Sequence, residues 1–346
     1  MKAGYAATLF GPEDLRYVPH DPGVLAPGMV RVEFGAAGIC GSDMHYFRHA
    51  RSGDFKMTSP LILGHEIAGT VAKINAETNL NVGQRVAVNP SRWCGRCPAC
   101  KAGRENHCEN IYFMGSASKT PHMQGGFATH FDAVPAQCVP IPDHVSFRAA
   151  ALAEPLAVCL HAVKRGGDLK GRSMLVIGAG PIGLLTLLGA KAAGAGSVSV
   201  ADLAAAPLAL AARLGAQETF DLSADPEALK RKGAAHDLVF EASGSPQGLA
   251  SAIGAAKKAG IVVQIGNQPS GDIPFPANQV MSKEIDLRGT FRFGSEFMDA
   301  VRLISEGKVP VEDLITAELP LSEAPQGLRL AFDRSRQVKV ILTANI

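Results

Sequence analysis

Apolar residues fall into two successive patterns along the chain. Up to about residue 150 they come as short β-branched runs, "GMVRVEFGAAGIC", "IAGTVAKI" and "GQRVAVNP", punctuated by Gly, Asn and Pro. Runs of this length with turn residues between them predict strands, and no long helical period interrupts them. The first half is therefore expected to be mostly β. After "LAEPLAVCLHAV" the grammar changes. Strands "SMLVIG", "SVSVAD", "HDLVFEASG" and "AGIVVQIGN" alternate with Ala- and Leu-rich helices, among them "PLALAARLGA" and "GLASAIGAAKKA". Such alternation predicts βαβ units on a parallel sheet. From about Leu287, "LRGTFRFGSEFMDAVRLISEGKV" predicts a strand and a helix, and "QVKVILTA" a last strand that suits either half.

The turn after the first strand of the second half reads "VIGAGPIG". It sets Gly178, Gly180 and Gly183 in G-x-G-x-x-G register, with Pro181 and Ile182 opening the helix that follows. Gly178 permits the tight turn, Gly180 lets backbone approach a pyrophosphate, and Gly183 allows close helix–strand packing. The helix start adds free N–H groups and the positive end of a dipole. Asp202 closes the next strand, 19 residues after Gly183. A carboxylate there accepts from both ribose hydroxyls and repels a 2′-phosphate, which predicts NAD rather than NADP. No Arg or Lys follows within "DLAAAPLAL", so the adenosine pocket is expected to be apolar.

Composition narrows the class without changing this picture. A chain of 346 residues is too long for one ordinary core and predicts two domains. Apolar residues make up 47% and charged residues 19%, the balance of a compact globule. Net charge is +2 with both signs interspersed, so nucleic acid is not an expected partner. The N-terminal stretch "MKAGYAATLFGPEDLRYV" lacks the grammar of a secretory signal, and no run reads as a membrane span. A cytoplasmic address is the resulting expectation, and there clustered cysteines favour metal over disulfides.

Four of the seven cysteines, Cys94, Cys97, Cys100 and Cys108, crowd into "WCGRCPACKAGRENHC". Four thiolates at such short spacing close a tetrahedral zinc site with no vacant position. An iron–sulfur cluster also takes four cysteines, but seven residues before the last one depart from the bacterial spacing. A second set is scattered: Cys40 in "GICGSDMHY", His65 beside Glu66 in "LGHEIAG", and Glu154 in "LAEPLAV". Cys, His and a carboxylate leave a fourth tetrahedral position open, which a catalytic zinc needs. Alone each residue is ambiguous, since a buried Cys often only packs and Glu154 before Pro155 suits a helix cap.

"GICGSDMH", "GHEIAGTV", the four-cysteine lobe, "AEPLAV" and "GAGPIG", in this order, resemble the zinc-dependent medium-chain alcohol dehydrogenase family over essentially the full length. Glu at 154 is similar to the polyol branch, which includes sorbitol and threonine dehydrogenases. "NPSRWCGRC", "FMGSASKTPHMQGGF" and "LRGTFRFGSEF" look more narrowly like sugar-acid dehydrogenases that oxidise L-idonate at C5 to 5-keto-D-gluconate. The resemblance implies a GroES-like catalytic domain over 1–150, with 287–346 returning to it. An NAD-binding Rossmann domain, a doubly wound parallel sheet, is implied over 151–286. It implies two zinc ions per chain, one of them held by Cys40, His65 and Glu154 with Glu66 as an alternate ligand, and hydride transfer to NAD. Ser42 and His45 match positions that pass the proton to solvent, and Asp43 is expected to orient His65. Tyr46, Phe113 and Arg292 are candidate substrate contacts, with Lys119 and His122 as further ones. A homodimer or homotetramer is implied. The alternatives are a neutral-polyol enzyme acting on sorbitol or xylitol, a threonine dehydrogenase-like enzyme, and a catalytically silent nucleotide-binding protein.

Overall fold

The computed structural model describes residues 4–344. The chain divides into two compact units. Among the described residues, one comprises 4–154, 297–333 and 339–344, and the other 155–296 and 334–338.

The first unit is built on a seven-stranded sheet. In spatial order its strands are Cys138–Pro140, Arg85–Val88, Glu66–Asn75, Met29–Gly38, Lys339–Thr343 and Ile315–Pro320, with His130–Ala133 also on Met29–Gly38. The terminal "QVKVILTA" strand thus joins this unit, pairing antiparallel with Met29–Gly38 through Ile341 opposite Gly38. A smaller sheet of Asp14–His20, Gly4–Gly11 and Leu61–Ile62 lies in the same unit. The buried faces of Val30, Val32, Ile67, Val71, Val86 and Val88 pack as one apolar cluster, as the alternation of these strands demands. Arg31 is the exception among them. It is 2% exposed and forks onto Asp132 at 2.8 and 3.0 Å, with the carbonyls of Pro22 and Gly23 taking its remaining N–H groups.

Short helices also interrupt the strands of this half, at Gly41–His49, Pro98–Lys101 and Phe147–Ala151. Gly41–His49 is a helix whose start is fixed by Asp43, which accepts from the Cys40 amide at 3.0 Å. Met44, Tyr46 and Phe47 are buried from it, and nine residues are too short to imprint a clear helical period.

The second unit holds six parallel strands in the order Glu218–Asp221, Ser197–Asp202, Ser173–Ile177, His236–Glu241, Ala256–Gln264 and Asp286–Gly289. The order reverses beside Ser173–Ile177, the switch point at which such sheets bind ligands beyond their carboxyl ends. Two boundaries differ from the expected ones. Asp286–Gly289 pairs with Ala256–Gln264, so the return to the first unit comes at Phe297 rather than near Leu287. The helix expected to run through "GAAKKA" stops at Ala255, and Ala256 starts a strand opposite His236. Among the described residues no helix is long and apolar enough to cross a membrane.

Candidate active site and dinucleotide turn

Strand register assembles the first site. Gly38 pairs with Glu66, so Cys40, just past one strand end, meets His65 and Glu66 at the start of the other. The donor atoms of Cys40, His65 and Glu66 lie within 4.8 Å of one another. Glu154, at the start of the helix Ala153–Gly166, falls outside that group although it is 5% exposed and interacts electrostatically with His65 and Glu66. Glu66, expected as the alternate ligand, thus stands in the donor group, and Glu154 outside it.

The surroundings are anionic and dry. Asp43 is fully buried, accepts from the amides of Cys40 and Gly64 at 3.0 and 3.2 Å, and lies 3.6 Å from His65 Nδ1. Burial raises its pKa. Burial likewise pushes the Glu154 carboxyl up to about 7, with Glu66 adding to the rise against the opposing pull of His65. Burial lowers the pKa of His65, but Asp43 and Cys40 outweigh it and hold the imidazole well above its ordinary value. Three buried carboxyls and a thiol thus crowd round His65 and one buried lysine, Lys339, and a divalent cation adds positive charge to that anionic set.

That lysine, Lys339, was not legible as a site residue. It is 3% exposed and donates to Glu66 Oε1 at 2.7 Å and to the Ile39 carbonyl at 3.0 Å. Its Nζ also sits against Glu66 Oε2, yet that oxygen is buried with no aligned donor. A Cβ on Gly38 would overlap that carboxylate oxygen and meet Lys339 Cε at 2.9 Å, so Gly38 must lack a side chain. The only sequence signal was a cation inside the apolar run "VKVIL". A half-buried thiol, a buried imidazole and a buried carboxylate with one oxygen lacking an aligned hydrogen-bond donor fit zinc.

The other candidates fall variously. Phe113 is beside the donors, its ring 5.4 Å from that of His65. Ser42 Oγ is 3.5 Å from His65 Nε2, while His45 is exposed, with the His49 ring 6.3 Å away. Tyr46 is in the apolar core and its hydroxyl accepts from the Ala117 amide at 2.9 Å. His122 has both ring nitrogens engaged, Nε2 accepting from Thr58 N–H and Nδ1 donating to the Lys119 carbonyl. Arg292 belongs to the second unit, at φ 54°, with its guanidinium 4.9 Å over the Phe291 ring.

The sulfur lobe is separate. Cys94, Cys97, Cys100 and Cys108 bring their sulfurs within 4.8 Å of one another, none of them in a disulfide, and His107 is outside the group. Backbone amides turn inward: Cys94 N–H donates to Cys108 Sγ at 3.3 Å and Cys100 N–H to Cys97 Sγ at 3.5 Å. The amides of Arg96 and Cys97 pull the Cys94 thiol down to about 6, whereas burial and the adjoining sulfurs push Cys100 up to about 12. Amide donors aimed at sulfur suit thiolates gathered round one closed zinc.

In the second unit the glycine turn follows the strand Ser173–Ile177. Gly178 takes φ 98°, and a Cβ there would meet Ser243 N at 2.8 Å. A Cβ on Gly183 would collide with the Gly178 carbonyl. Gly180 caps the helix Pro181–Ala192 and has open space where a side chain would stand, as a pyrophosphate needs. Asp202 Oδ2 accepts from the Ala179 amide at 2.5 Å and Oδ1 from Ala204 at 2.8 Å, so the carboxylate also braces the turn.

Residues 26–143 match the model of the alcohol dehydrogenase GroES-like domain, and residues 181–306 that of the zinc-binding dehydrogenase. The chain belongs to the zinc-dependent medium-chain alcohol dehydrogenase family. L-idonate 5-dehydrogenase (NAD(P)(+)) of Escherichia coli strain K12 is 36% identical over 312 residues, 90% of each chain. Human sorbitol dehydrogenase is 35% identical over 342 residues, 96% of this chain and 93% of the relative. The crystal structure of the Escherichia coli L-idonate 5-dehydrogenase superposes with a TM-score of 0.91 at 34% identity, covering 98% of both chains. Membership makes this medium-chain dehydrogenase an NAD(P)-dependent oxidoreductase of the polyol and sugar-acid group, with zinc as its metal.

Proposed function

We propose that this dehydrogenase oxidises a secondary alcohol of a sugar acid, L-idonate at C5, with NAD as hydride acceptor. The observation that carries the chemistry is the gathering of the Cys40, His65 and Glu66 donor atoms within 4.8 Å of one another, beside the buried carboxyls of Asp43 and Glu154. The similarity to L-idonate 5-dehydrogenase over nine-tenths of both chains supports the substrate. Cys40, His65 and Glu66 would hold the catalytic zinc, Glu154 would back it, and the four cysteines of the lobe would hold the second ion. When bound, zinc supplies Lewis acidity that lowers the pKa of a substrate hydroxyl, and nicotinamide supplies the hydride acceptor.

The chain's own residues do the rest. Asp43 steadies His65 and anchors the Cys40 and Gly64 backbone. Lys339 donates to one oxygen of Glu66 and pairs its charge with the carboxylate. Phe113 excludes water from one side of His65. Ser42, 3.5 Å from His65 Nε2, would accept the alcohol proton, and exposed His45 would release it to solvent. Asp202 selects NAD over NADP, and Arg292 is the candidate grip for the substrate carboxylate.

A second reading, a neutral-polyol enzyme, is supported by the comparable identity to human sorbitol dehydrogenase. The deciding experiment is kcat/KM for L-idonate, sorbitol and xylitol at saturating NAD+. Idonate is expected to lead by at least about tenfold, the usual worth of one charged contact in a pocket. A sorbitol value above that of idonate sinks the sugar-acid reading. Arg292→Ala should raise KM for idonate far more than for sorbitol, and an equal rise in both would remove Arg292 from carboxylate binding.

A further inference from the structure

The glycine turn and Asp202 occupy the carboxyl ends of the parallel strands of the second unit. A recess of about 390 Å³ opens at the opposite, amino ends of the same sheet. It lies where Ser173–Ile177 and His236–Glu241 begin, beside the first turns of Ala256–Gln264. Lys170, Arg172, Lys257, Lys258 and Asp237 are the charged groups in its wall.

The charges there do not cancel. Asp237 is the only carboxylate of the wall and is already spent. It takes Lys257 Nζ at 2.8 Å and both the amide and the hydroxyl of Ser173, at 2.9 and 2.7 Å. The side chains of Lys170, Arg172 and Lys258 have no hydrogen-bond or ion-pair partner among the described residues. The wall's excess of positive charge exceeds the net +2 of the whole chain. Nothing in the redox site accounts for this concentration, because the sheet separates the recess from the glycine turn. Folding alone gains little from crowding like charges within a Debye length of about 8 Å.

We propose that this recess is a binding site for a small polyanion of the phosphate class, such as a pyrophosphate or a phosphorylated metabolite. Its volume lies in the range of small-ligand sites, too small for a polymer backbone to enter. Arg172 supplies a planar fork for two phosphate oxygens, and the lysines supply mobile point charges. Lys257 already bridges two strands through Asp237, so a ligand reaching Lys258 and Lys170 ties three strand beginnings together. Such a ligand stabilises the unit without touching the nicotinamide.

The test is a calorimetric titration of inorganic pyrophosphate into the holoenzyme saturated with NADH, which keeps the glycine turn filled, at fixed ionic strength. One equivalent is expected to bind saturably. Lys170→Glu combined with Lys258→Glu changes only exposed side chains, and should weaken binding at least tenfold while leaving the NADH Kd and the ligand-free melting temperature unchanged. Arg172→Gln, the milder change, should weaken it at least threefold. Absence of saturable binding in the wild type, or equal Kd values in wild type and both variants, overturns the proposal.

Discussion

Replacing Lys339 with Met keeps the length of the side chain and removes its charge. In the metal-free protein the variant leaves the Glu66 carboxylate, 1% exposed, without its nearest cation. Breaking a buried ion pair by deleting one partner costs about 3–5 kcal/mol, because the remaining charge is stranded in low dielectric. For a unit of this size that corresponds to a fall of about 6–20 °C in melting temperature. Zinc changes the arithmetic. A dication among Cys40, His65 and Glu66 supplies the missing positive charge, so the loss in zinc-saturated protein should shrink to less than half. The assay is paired thermal and urea unfolding of wild type and variant, each after chelation and after zinc reloading. Both proteins lose the sulfur-lobe metal on chelation, so the difference between them isolates Lys339. An equal loss in the two metal states, or a loss below about 1 kcal/mol in the metal-free state, would refute a stranded-charge account of the pair.

Three further outcomes are expected. Cys97→Ser should lower zinc content from about two ions per chain to about one and reduce thermal stability, because a closed site contributes folding energy directly; a fully stable variant that had lost hydride transfer would contradict this. Asp202→Ala should raise KM for NAD+ and increase the NADP+ to NAD+ ratio of kcat/KM at least tenfold, and an unchanged ratio in cofactor kinetics would remove Asp202 from selectivity. Glu296, 5% exposed, is opposed by burial, but hydrogen bonds from His161 and Lys164 outweigh it and hold its carboxyl well below the usual range. Its depressed pKa means that its stabilisation is complete above the ordinary glutamate pKa and disappears as pH falls through the folded value. Glu296→Gln should therefore cost about 1.5–3 kcal/mol at pH 7 and flatten the acid limb of a stability–pH curve below about pH 4. An acid limb identical to that of the wild type would show that Glu296 carries none of it.

The second unit was almost fully legible because its signals are local. A strand, three glycines at fixed spacing and an aspartate at the end of the next strand lie within 30 residues, from Ser173 to Asp202. The sulfur lobe was legible for the same reason. The donor group of the first unit was only partly so, because register and not spacing brings Cys40 to Glu66. Two candidates far apart in the sequence, Glu66 and Glu154, are chemically alike, and the pairing of Gly38 with Glu66 puts one of them among the donors. Lys339 lies more than 270 residues from its partner, on a strand that reads as plain core. The burial of Tyr46 was not legible, because an aromatic beside a metal motif suggests a pocket, whereas its ring lies in the apolar core and its hydroxyl accepts from the Ala117 amide. The edge strand at Asp286–Gly289 was assigned to the wrong unit because a four-residue strand carries no mark of which sheet it will join.

The sulfur lobe between Cys94 and Cys108 has almost no apolar interior. Its regular structure is one four-residue helix, Pro98–Lys101, and a single turn at Glu105–His107, and Lys101, Ala102, Gly103 and Arg104 are exposed. Four sulfurs supply the constraint that a core supplies elsewhere. The residues between them are accordingly released from the packing rules that restrain the strands. Substitutions at positions 101–104 should be tolerated in almost any chemistry that keeps the turn at Gly103, where φ is 67°. This surface can diverge quickly between homologues while the cysteines stand still, and it is a natural place to graft a foreign peptide or label without disturbing either unit.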